Sequence, residues 1–121
     1  SARRRDGRRH PILMSNLPLS EQFRLIAKKW VDADSAASLL EETKTAVLAK
    51  LMSQQMVVSG DTTVSRAEMQ VKASSDWNDF ITSMVEARKN AALLKVQLEY
   101  IRMQFSEWQS AEATKRAEMK L

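Results

Sequence analysis

The stretch that decides the fold is WNDFITSMVEARKNAALLKVQLEYIRMQFSEW, residues 77–108. Apolar or small residues recur there at Trp77, Phe80, Met84, Ala87, Ala91, Leu94, Leu98, Ile101, Phe105 and Trp108. The steps alternate between three and four without a miss, which is the seam of a helix that lies along another helix. A second, weaker stripe (Ile81, Val85, Ala92, Val96, Met103) widens the apolar surface beyond what one partner helix covers.

The partner helix is upstream. From Ser20 to about Met56 no glycine or proline interrupts the chain, and Phe23, Ile26, Trp30, Ala33, Ala37, Leu40, Lys44, Val47 and Leu51 keep the same rhythm, with Lys44 the one misfit. Ser20 is the expected N-cap, with Glu21 at the positive end of the helix dipole. Gly60 and Asp61 are turn residues that close this helix. Ser65-Arg66-Ala67-Glu68 then reads as a capping box, with Val64 and Met69 at the spacing of a hydrophobic staple. A short helix over about Arg66–Ala73 follows, and Ser74-Ser75-Asp76 offers a fresh cap for a last helix that runs to the chain end.

The expected fold is therefore all-α. Two long helices form an antiparallel coiled-coil hairpin with a short intervening helix, and the wide apolar face predicts dimerisation into a helical bundle. Pairing Leu51 with Trp77 sets Ala37 against Ala91, Trp30 against Leu98 and Phe23 against Phe105, so small meets small in the middle and large meets large near the open end. In this register the residues after Trp108 outrun the first helix.

Length and composition bound the rest. The 121 residues suffice for one domain. Residues 1–19 read as a basic tail and 20–121 as the hairpin domain. Five arginines (Arg3, Arg4, Arg5, Arg8, Arg9) against Asp6 supply the whole net charge of +4, and the remainder of the chain is neutral. Met14-Ser15-Asn16 has the look of a translation start, which suggests that residues 1–13 are a leader. Cysteine is absent, which excludes disulfides, thiolate nucleophiles and cysteine-ligated metals. No apolar run approaches the roughly 18 residues of a membrane span. A soluble protein is expected, and the lack of cysteine is compatible with a reducing cytoplasm.

Catalytic raw material is scarce, and the chain reads as a non-enzyme without metal, cofactor or small-molecule ligand. His10 is the one histidine and lies in the tail, while Asp76 and Asp79 share a helix face with no further ligand beside them. Their place in a first helical turn explains them. Gly60 stands alone, so no phosphate-cradling loop exists. The charged segments, such as Glu86-Ala87-Arg88-Lys89 and Lys95 with Glu99 and Arg102, read as solvated coiled-coil flanks.

The C-terminal run differs. Past Trp108 the seam positions become Glu112 and Lys115, so the coiled coil stops while the helix continues. Phe105, Trp108, Lys115 and Arg116 are the candidate partner-binding residues. A nucleic-acid-binding alternative uses Arg3, Arg4, Arg5, Arg8 and Arg9 with the basic C-terminal positions.

The runs Ala67-Glu68-Met69-Gln70-Val71-Lys72-Ala73-Ser74, Met84-Val85-Glu86-Ala87-Arg88-Lys89 and Leu98-Glu99-Tyr100-Ile101-Arg102-Met103, with Glu107-Trp108 and Thr114-Lys115-Arg116-Ala117-Glu118-Met119, resemble small phage- and prophage-encoded helical proteins of uncharacterised function. The likeness covers about residues 65–121. It implies an accessory or inhibitory role in phage DNA metabolism or host-defence interference and carries over no site residue. The partners expected are a second copy of the chain, a phage or host protein, and, in the alternative, nucleic acid. A further alternative is a structural or scaffolding virion component, which large concentration-dependent assemblies would mark.

Overall fold

A computed structural model describes residues 16–60 and 63–120. Three helices follow in order: α1 (Leu19–Ser59), α2 (Val64–Lys72) and α3 (Ser75–Met119). No strand occurs among the described residues. The two long helices pack against each other as an antiparallel hairpin, and α2 sits at its closed end, chiefly on α1. At 1.5 Å per residue, the 41 residues of α1 and the 45 of α3 make rods of about 60 and 70 Å.

The heptad seam is the buried face. Ile26 and Ala37 on α1, and Trp77, Ala91, Leu98 and Ile101 on α3, are buried, and the intervening seam residues from Phe80 to Leu94 are half-buried. Near the open end Ile26, Leu98 and Ile101 form a cluster that Leu19, Phe23, Ala27, Trp30 and Leu94 pack against. Ala37 and Ala91, at 0% and 1% exposure, occupy the middle of the seam, where the absence of long side chains lets the helices approach. Lys44, the misfit, stays exposed and lines the same depression as Trp77.

The closed end shifts the register. Trp77 shares a depression with Lys44 and Leu48, about one turn before the Leu51 expected from spacing alone. Leu51 instead neighbours Val71, Ser74 and Asp76. The reason is α2: its Ala67 and Val71 are buried, and the Gln55 side-chain amide donates to Gln70 Oε1 at 2.9 Å. With the last turns of α1 occupied in this way, α3 meets α1 a turn earlier.

The helix ends differ from the expected caps in two places. Helix α1 starts on Pro18, not Ser20. The Pro18 carbonyl accepts from the amides of Glu21 and Gln22 at 3.0 Å each, and the Gln22 side chain donates to the Leu17 carbonyl at 2.7 Å. The fixed φ of proline suits this entry, so the helix begins earlier and brings Leu19 onto the seam. Thr63, not Ser65, caps α2 by accepting from the Arg66 amide at 3.2 Å. Glu68 is thereby freed to pair with Lys72 at 2.8 Å, while Val64 and Met69 point outward and make no staple. Ser74 does cap α3, accepting from the Trp77 amide at 3.3 Å. Gly60 ends α1 at φ 78°, and its amide donates to the Met56 carbonyl at 3.0 Å.

One charged side chain is structural. Arg88, expected on a solvated flank, reaches across to α1. Its Nη1 lies 2.6 Å from Asp34 Oδ1, while Nη2 and Nε hold the Glu41 carboxylate at 2.8 and 3.0 Å. Arg88 follows Ala87 at the seam edge, and Asp34 and Glu41 stand one heptad apart on α1, so the fork bridges two turns of the facing helix.

Replacing Ala91 with Leu overpacks the close-approach layer, and we expect a loss of about 1–3 kcal/mol in chemical denaturation. An unchanged midpoint would mean that the helices do not meet there. The hydrogen bonds from Arg88 hold the Glu41 carboxyl below its ordinary range. A carboxylate lowered in the folded state stabilises above its unfolded pKa and loses that contribution as pH falls through the folded value. The stability difference between the unaltered chain and Arg88→Met should therefore be constant near neutrality and shrink in acid. A difference that persists unchanged through acid titration would remove the ion pair as its cause.

Candidate functional site

The open end of the hairpin is asymmetric because α3 is longer than its partner. Helix α1 starts at Leu19, which faces Phe105, whereas α3 continues fourteen residue steps further to Met119. That is an overhang of about 21 Å. From Ser106 to Lys120 every residue except the half-buried Glu112 is exposed, and among the described residues no other helix covers this length.

At the mouth, Leu19, Ser20, Phe23, Ile101, Arg102 and Phe105 line an open, almost wholly apolar groove of about 300 Å³. The Arg102 guanidinium carbon sits 5.6 Å from the centre of the Phe23 ring, a cation–π contact that places a positive charge on the rim. Phe105 and Trp108 stack with centroids 5.9 Å apart and planes inclined by 26°. They are 44% and 54% exposed, so the pair is available to a partner rather than spent on the core. Beyond it Trp108, Gln109, Glu112, Lys115, Arg116 and Met119 line a shallow second surface along one face of α3. Lys115 Nζ lies 3.9 Å from Glu112 Oε2, a loose exposed pair that leaves the ammonium free to re-pair.

The four partner-binding candidates thus fall on one helix face. Phe105 belongs to the groove, Lys115 and Arg116 to the overhang, and Trp108 joins the two through its stack. Leu19, Phe23 and Arg102 complete the groove, and spacing did not single them out for binding. The signal for Leu19 was the Leu17-Pro18 entry, which starts the helix early enough to put Leu19 opposite Phe105. Arg3, Arg4, Arg5, Arg8, Arg9 and His10 lie outside the described residues.

Among the described residues no group of three or more histidines, cysteines or carboxylates converges as a metal site. Asp76 lies in the first turn of α3, where the dipole favours an acid, and Asp79 is exposed one turn on. No described helix is long and apolar enough to cross a membrane.

No family model matches the chain, and no curated protein or solved structure does either.

Proposed function

We propose that the protein is a non-catalytic interaction module that docks a protein partner on the open end of its helical hairpin. The observation that carries this reading is the overhang. Helix α3 outruns α1 and presents the stacked Phe105–Trp108 pair on its seam face, with Lys115 and Arg116 further along. Exposed aromatics flanked by charge at a groove mouth have the composition of an interface centre with a polar rim. A partner helix laid against this face would cover Phe105 and Trp108, the last apolar positions of the seam, where α1 has ended.

The biological setting follows the resemblance of residues 65–121 to phage- and prophage-encoded helical proteins: an accessory or inhibitor in phage DNA metabolism or host-defence interference, working in the bacterial cytoplasm. A second copy of the chain is one of its partners. Nucleic acid is the competing reading, favoured by the five tail arginines and by the interleaving of Phe105 and Trp108 with Arg102, Lys115 and Arg116. Glu107, Glu112 and Glu118 oppose it on the same segment.

Affinity capture from host lysate separates these readings when the chain is compared with Trp108→Ala. Loss of the aromatic anchor should weaken retention of a specific protein by about thirtyfold with helicity unchanged. In parallel, DNA is titrated into the full chain and into a chain beginning at Met14. Salt-sensitive binding by both, with no captured protein lost on Trp108→Ala, would replace the protein partner by nucleic acid.

A further inference from the structure

Helix α3 carries a second seam on the side away from α1. Leu93, Val96, Tyr100 and Met103 are 57%, 60%, 61% and 62% exposed, four large apolar residues over three successive turns. Val96 precedes the buried Leu98 by two residues, hence by about 200° around the helix, so this surface points directly away from the hairpin core. Extending it at both ends adds Lys89 and Glu107. The steps from 89 through 93, 96, 100 and 103 to 107 are four, three, four, three and four, which read the same in either direction. Like any alternating three-four seam, it can be laid against a reversed copy of itself, so the choice of occupant rests on the charges at its ends.

We infer that this outer face of α3 binds a second copy of the chain, antiparallel, with the two-fold axis at the level of Leu98. This rests on reading the chain as an interaction module and names one of its partners. Counting equal distances either side of Leu98 sets Val96 against Tyr100 of the second copy, Leu93 against its Met103 and Lys89 against its Glu107. The centre of the interface is apolar, and an opposite-charge pair closes each end. Lys89 and Glu107 make no salt bridge among the described residues of the single chain, so both charges are open to this pairing. Two-fold pairing also requires every contact to be made twice, and the palindromic spacing meets that condition.

The geometry has two consequences. Because the two seams of α3 lie on opposite sides, the four long helices stand in a row (α1, α3, then α3 and α1 of the second copy), not in a square bundle. The overhang of each copy also gains a neighbour: Ser110 falls opposite Glu86 of the second copy and Thr114 opposite its Thr82. The groove face bearing Phe105, Trp108, Lys115 and Arg116 stays open at both ends of the pair, which makes the assembly bivalent.

Sedimentation equilibrium of the full chain tests the pairing. We expect the mass of two chains at micromolar concentration, and a dissociation constant raised about a hundredfold by Val96→Glu at unchanged helicity, because uncompensated carboxylates would enter the apolar centre. Cross-linking tests the register without relying on a destabilising variant. The chain has no cysteine of its own, so Leu93→Cys and Met103→Cys chains can be mixed and oxidised. The mixture should cross-link, whereas each variant alone should not, since equivalent positions lie ten residues or about 15 Å apart, beyond disulfide reach. A one-chain mass up to millimolar concentration, growth beyond two chains, or efficient self-cross-linking of Leu93→Cys would each overturn the proposal. The overhang reading would survive a one-chain mass, since Trp108 is outside this interface.

Discussion

Everything in this molecule depends on the close approach of two long helices along one alternating seam. Ala37 and Ala91 vanish from the surface at its middle, and larger side chains (Ile26, Leu98, Ile101, Trp77) seal it on either side. Two rods in contact bury one stripe each and enclose no volume. The buried core is correspondingly thin, and apolar residues that a three-layer domain would cover remain on the outside of α3. The exposed surface is thus a geometric result of the hairpin.

The two ends of the hairpin are coupled through α2. By packing Ala67 and Val71 on the last turns of α1, the short helix sets where α3 can first touch α1, and Trp77 lands beside Leu48. That starting level fixes which part of α3 has run out of partner at the far end. Leu19 then meets Phe105, and Trp108 with the following turns projects beyond. The one-turn shift at the closed end is carried along the hairpin, so that Leu19 in place of Phe23 meets Phe105 and one further turn of α3 is left without a partner. Arg88 acts between these ends, gripping Asp34 and Glu41 so that one side chain registers two turns of α1.

Opposed seams divide the surface of α3 into two separate faces. One side is committed to α1 along most of its length and opens only at the overhang. The other is free throughout and self-complementary in spacing and charge. Because the faces are separated around the helix, the proposed pairing with a second copy would leave Phe105 and Trp108 of each chain uncovered.

The amino-acid sequence by itself determined the elements and the buried face. Three-four spacing, the lack of glycine and proline between Pro18 and Gly60, and the Ser74 cap are local properties that act within a few residues of chain, and all of them carry into the fold. Local rules also favoured caps that the chain does not use: Ser20 and Ser65 are good caps in isolation, but Pro18 and Thr63 start their helices earlier. Tertiary structure alone decided three things: that Arg88 spans to α1, that the register slides by a turn, and that Phe105 and Trp108 stay uncovered while Leu98 and Ile101 do not. Each depends on where a second helix lies in space. Periodicity reports the face a residue occupies, whereas the level at which the facing helix begins and ends is set by packing between distant segments.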